Sequence, residues 1–93
     1  MGMRIEVTRT GGFAGGRRTG VIDTDSPQGA ADAPQWRTLA EQALREGAAE
    51  PPSGVPDGFR YTLTVDGRTV HAADPRLGEA QRELFRRVLK EGA

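Results

Sequence analysis

The chain has 93 residues, 35% of them hydrophobic and 28% charged, and its thirteen basic side chains balance thirteen acidic ones. That length allows one domain, spanning residues 1–93, with a small core and room for two helices and a few strands; zero net charge leaves no field to draw the chain onto a nucleic-acid backbone. The absence of cysteine removes disulfides, thiol catalysis and thiolate metal sites together.

The N-terminal MGMRIEVTRT alternates and is polar from the outset. It has no apolar leader run, and no stretch approaches the ~20 apolar residues of a membrane span. A cytoplasmic monomer without membrane association is expected. Met3, Ile5 and Val7 alternate with Arg4, Glu6 and Thr8, the period-two pattern of a strand with one buried face. Gly11-Gly12-Phe13-Ala14-Gly15-Gly16 follows, and Thr19 to Asp23 offers a second, weaker strand. So short a glycine-rich connection favours an antiparallel hairpin, although nothing in the sequence fixes its register.

From Thr24 to Ala33 there are turn formers and no period, so residues 24–33 read as a flexible loop. Ala33-Pro34 reads as a helix entry supported by Asp32 or Asp25, with Trp36, Leu39, Ala40, Ala43 and Leu44 on one face. Gly47 is expected to close that helix in the left-handed conformation, and residues 47–58, rich in proline and glycine, form a second flexible loop. Phe59 to Val65 then alternates strictly and meets Asp66-Gly67, the signature of a two-residue type I′ hairpin. That turn sets Val65 opposite Arg68, Leu63 opposite Val70 and Tyr61 opposite Ala72. Asp74-Pro75 reads as the start of a last helix, with Leu77, Ala80, Leu84, Phe85, Val88 and Leu89 as its apolar stripe. The order is ββαββα, an α+β fold in which a four-stranded antiparallel sheet carries two helices on one face and leaves the other wet.

No catalytic constellation emerges, so the chain is not expected to be an enzyme. Gly11 and Gly16 have the spacing of a phosphate loop, but Arg17 and Arg18 stand where lysine and a hydroxyl are needed, and a strand follows instead of a helix. His71 is the only histidine and lies on the polar face opposite Thr62; no helix carries paired metal ligands. No cofactor and no metal site are expected. The aspartates each have a local turn or capping role available. Arg60, Arg68, Arg82, Arg86 and Arg87 read as solvated faces, with Arg60 also placed to touch a partner. Phe13 has two readings, a ring folded back onto the core or one presented on a flexible backbone that another protein can approach closely.

RTGGFAG after a first strand, PDGFRYTLTVDGR, and ELFRRVL in the closing helix together resemble the emfourin family. The resemblance runs from Met3 to Leu89. It implies a protein inhibitor of thermolysin-like zinc metalloproteases of the protealysin type, and hence a protease as partner. With such a protease as partner, Gly11, Gly12, Phe13, Ala14, Gly15 and Gly16 are expected to be the binding loop, with Arg17, Arg18, Arg60 and Tyr61 as a rim. Residues 48–58, AAEPPSGVPDG, depart from the family pattern and read as an insertion. The alternative is a non-inhibitory adaptor that recognises another protein through the open sheet face.

Overall fold

The computed structural model describes residues 2–12, 16–50 and 58–91. Strands β1 (Arg4–Gly11) and β2 (Gly16–Asp23) lead into a single helical turn, α1 (Pro27–Ala30), and the long helix α2 (Ala33–Glu46). Strands β3 (Phe59–Val65) and β4 (Arg68–Ala73) and helix α3 (Glu79–Glu91) complete the order. The four strands make one antiparallel sheet in the order β2-β1-β3-β4, so the two hairpins join through β1 and β3. This is the small α+β fold expected from the order ββαββα, with α1 added.

Alternation builds the core. Ile5 and Val7 of β1, Ile22 of β2, and Leu63 and Val65 of β3 face the helices, none more than 2% exposed. Trp36, Ala40, Ala43 and Leu44 of α2 and Leu84, Phe85, Val88 and Leu89 of α3 close over them. Burying each large aliphatic side chain contributes about 1.5–3 kcal/mol, which explains why these elements form although 13 glycines and 6 prolines interrupt the chain. Helix α3 lies over β1 and β2, with α2 packed beside it. At Gly20, buried on β2, the backbone of α3 comes so close that an added Cβ would overlap the Val88 carbonyl oxygen.

The second hairpin has the expected register, with Val65 opposite Arg68, Leu63 opposite Val70 and Tyr61 opposite Ala72. Asp66 and Gly67 both have positive φ, 49° and 87°, as a type I′ turn requires. Asp66 also ties the turn to the sheet centre, its Oδ1 accepting from the Arg4 N–H at 2.9 Å.

Four local expectations are corrected. Residues 24–33 contain α1, started by Ser26, whose Oγ accepts from the Gly29 N–H at 3.3 Å. Neither aspartate caps α2: Asp32 makes no side-chain cap bond, and Asp25 accepts from the Gly2 N–H instead. Gly47 is extended (φ −83°, ψ 165°) and not left-handed, because the chain runs straight on to pair Ala48 with His71 at the edge of β4. A glycine stands there for space, since a Cβ would sit 2.5 Å from Val70 Cγ2.

The fourth correction concerns the last helix, which begins at Glu79 and not at Asp74-Pro75. Asp74 is already committed: its N–H donates to the Phe59 carbonyl at 2.9 Å and its Oδ2 accepts from the Phe59 N–H at 3.1 Å, closing the end of the β3–β4 pair. The start of α3 is satisfied from elsewhere. Buried Gln81 accepts from the Gly78 N–H at 3.0 Å and donates to the Ala43 carbonyl of α2 at 3.2 Å, while Glu46 of α2 accepts from the Gln81 N–H at 3.0 Å.

Candidate functional site

The sheet end carrying the glycine-rich connection is built from β1, β2 and β3 together. Gly11 pairs with Gly16 across the first hairpin and with Phe59 across the sheet centre, so the connection leaves and re-enters at the sheet end beside β3. Gly11 and Gly12 both have positive φ, 88° and 77°, a conformation that other residues avoid. The Gly12 N–H donates to the Gly58 carbonyl at 3.2 Å, and a Cβ on Gly12 would overlap the Phe59 ring. The Phe59 ring is held in turn by the Arg9 guanidinium, 4.3 Å from its centroid, and by the edge of Tyr61 at 6.3 Å. The base of the connection is thus anchored on its β1 side. Phe13, Ala14 and Gly15 lie outside the described residues.

Strand alternation splits the expected rim between the two faces. Arg17 and Arg60 flank Thr10 on the open face, where Thr8, Thr19, Thr62 and His71 make the next row. This face is polar throughout its centre, and Thr8–Thr19 and Thr64–Thr69 hydroxyl pairs at 3.2 and 3.0 Å cross it. Arg18 and Tyr61 flank Arg9 on the helix face, just beyond the apolar core. The Tyr61 ring stacks on Phe85 of α3 at 4.7 Å, and Arg18 Nη2 donates to the Leu89 carbonyl at 2.9 Å. A cation is favoured there, because the carbonyls of the last helical turn have no partners within the helix.

Between this row and α3 lies a groove of about 380 Å³. Arg9 and Arg18 line its sheet side and Arg82, Arg86 and Lys90 its helix side, over a floor that includes Tyr61, Phe85 and Leu89. Arg86 is held by both oxygens of Glu83, at 2.9 and 2.8 Å. That contact keeps the Glu83 carboxyl below its ordinary pKa. Burial, and to a lesser degree nearby Asp74, push the Tyr61 hydroxyl above its ordinary value of 10.0 against the opposing pull of Arg9, so it is a proton donor at neutral pH.

Sequence reasoning missed Arg9, Phe59 and Phe85 as parts of this end of the molecule, since their meeting depends on the β1–β3 register and the seating of α3. The spacing of residues 82, 86 and 90, one helical turn apart each time, was the available signal for the basic ridge. Arg87, expected on a solvated face, instead covers Trp36 at 4.4 Å and reaches Asp32 and Glu91. Among the described residues no group of three His, Asp or Glu side chains could hold a metal ion, and no helix is long and apolar enough to cross a membrane.

Fold and site together define a small α+β scaffold that presents a hairpin connection and a basic groove at one end of its sheet. The chain belongs to the emfourin family, whose model matches residues 7–89. That membership suggests a protease-inhibitor role and accords with a chain that is not itself an enzyme. No curated protein and no solved structure matches it.

Proposed function

We propose that this protein inhibits a thermolysin-like, protealysin-type zinc metalloprotease in the cytoplasm, acting as a monomer and blocking the active-site cleft with Gly11 to Gly16. The family match over nearly the whole chain carries the reading. Such proteases favour a large apolar residue just after the cleaved bond; Gly12-Phe13 enters as substrate does, with the Phe13 ring in the apolar pocket and a backbone carbonyl near the partner's zinc. The anchored base supports this role. With Gly11 paired on both sides and Gly12 bonded to Gly58, the base of the loop is fixed before docking, so these two residues lose little freedom when a partner binds.

The test is titration of a thermolysin-like protease with the wild-type protein, using a peptide substrate, followed by Phe13→Ala. Activity falls at stoichiometric wild-type protein, and the variant inhibits at least about tenfold more weakly with little change in melting temperature, as loss of a buried aromatic anchor worth ~2–4 kcal/mol requires. A large melting loss with intact inhibition would assign the ring to the core and overturn the loop mechanism. Full protease activity in excess wild-type protein would overturn the inhibitory role itself.

A further inference from the structure

We infer that the groove between α3 and the Arg9–Arg18 pair is a docking site for an acidic, extended segment of the partner protein, whose carboxylates it takes from both walls. The inference rests on the inhibitory reading for the identity of the partner but not for the chemistry of the groove. The chain as a whole is neutral, yet five cations converge here with no carboxylate among the described residues that line the groove. Arg86 is neutralised by Glu83, whereas Arg9, Arg18, Arg82 and Lys90 have no acidic partner within ion-pair distance among the described residues. Like charges on successive turns of one helix face repel, so Arg82, Arg86 and Lys90 add no stability to α3 by standing together.

The two arginines on the sheet are already positioned. Arg18 is tethered by one bond to the Leu89 carbonyl, and Arg9 lies over the Phe59 ring, which leaves further N–H donors on each planar fork for a carboxylate. Tyr61, which also lines the groove, carries a neutral hydroxyl at physiological pH. The floor also favours a peptide over a bare anion: half-buried Leu77 leaves apolar surface beside the cations that a free phosphate would leave wet but an aliphatic side chain between two acidic residues would cover. A nucleic-acid strand would gain no long-range attraction from a chain of zero net charge. The volume of about 380 Å³ falls in the range of ligand clefts and suits a few residues of peptide. The groove also lies where a partner held at the glycine connection can reach it, since Arg9 precedes Gly11 by two residues, roughly 7 Å along the strand.

The experiment uses the full chain, a fluorescent peptide of alternating Glu and Leu, and its Gln-Leu counterpart. Wild-type protein binds the Glu-Leu peptide with an affinity that falls as salt is added, and binds the Gln-Leu peptide at least about tenfold more weakly. The exposed pair Arg82→Glu and Lys90→Glu, made together, loses at least about tenfold in Glu-Leu affinity in a protein whose melting curve shows it folded at the assay temperature. Against a thermolysin-like protease with an acidic rim, the same double variant associates more slowly at low salt. Equal binding of the two peptides, or an undiminished affinity in the double variant, would overturn the inference. Displacement of the peptide by inorganic phosphate or an oligonucleotide at lower concentration than by unlabelled peptide would overturn it as well. A protein that binds the Glu-Leu peptide as described but inhibits no protease would sink the inhibitory reading and leave the groove standing.

Discussion

Substituting Gly20 with alanine tests the seating of α3 on the sheet. The added Cβ would overlap the Val88 carbonyl oxygen and stand 3.0 Å from its carbon and 3.2 Å from Leu89 Cα. All three are backbone atoms of a helix, so no side chain can rotate aside; α3 must lift by about 1 Å, the scale at which close-packed contacts are lost. Overpacking of this kind costs about 1–3 kcal/mol. For a domain of this length each kcal/mol lowers the melting temperature by about 4–8 °C, giving an expected loss of about 4–24 °C. Gly16→Ala is the internal control: a Cβ there meets nothing within 4 Å and the backbone is not left-handed. Restricting the unfolded chain at such a site stabilises by about 0.4–1 kcal/mol, so Gly16→Ala melts at the wild-type temperature or slightly above. Lifting α3 also lengthens the 2.9 Å bond from Arg18 to Leu89 and widens the basic groove, so Gly20→Ala weakens acidic-peptide binding as well. Melting curves for the two variants that coincide within about 2 °C would refute the close approach of α3 to β2.

Gln81→Leu keeps volume in the buried link between α2 and α3 but strands the Gly78 N–H and the Ala43 carbonyl; a loss of about 2–4 kcal/mol is expected, read as a lower denaturant midpoint at unchanged slope. Trp36→Phe removes a buried indole N–H that has no acceptor among the described residues, which offsets part of the lost packing under Arg87; it destabilises less than Leu84→Ala, for which about 2–5 kcal/mol is expected from the same denaturation curves. Gly12→Ala, forced into positive φ against the Phe59 ring, displaces the connection and weakens protease inhibition more than Gly16→Ala does. The single tyrosine makes a pH test direct. Because the folded pKa of Tyr61 is raised, the unfolded chain loses this proton first; the associated stability is intact below pH 10 and falls as pH rises through the folded pKa, with phenolate absorbance appearing later in native than in denatured protein.

Where physics is local, the sequence was a sufficient guide. The Asp66-Gly67 turn determined the whole β3–β4 register, because a type I′ turn leaves one pairing that keeps Tyr61, Leu63 and Val65 on a common face. The helical stripe from Trp36 to Leu44 and the later one from Ala80 to Leu89 needed only the period of 3.6 and something apolar to cover. The misjudged helix ends had competing partners that no local pattern reveals. Asp74 precedes a proline as a cap would, but the exposed end of β3 claims both its N–H and its carboxylate, and α3 must start later. Gly47 follows a helix as a left-handed cap would, yet the free edge of β4 draws the next residue into a pairing with His71.

The sheet end that carries the glycine connection shows the same limit more sharply, and shows why a neutral composition is a poor guide to a charged surface. GGFAGG advertised itself by glycine content, but its base depends on Phe59, Arg9 and Gly58, which approach from β1 and β3 only through a pairing between the two hairpins. Arg18 and Tyr61 looked like neighbours of Arg17 and Arg60 in the chain, and the pleat separates them onto opposite faces. One pair joins the open polar face with its threonine hydroxyls; the other joins Arg9 opposite three cations of α3. Thirteen acids and thirteen bases cancel in the sum while the fold segregates five of the bases around one groove. Over distances beyond about 8–10 Å that cancellation holds and the protein has little pull on polyanions in general. Within the groove it does not hold, and there the local excess of charge favours a partner that brings carboxylates and apolar side chains in alternation to the end of the sheet where the glycine connection is anchored.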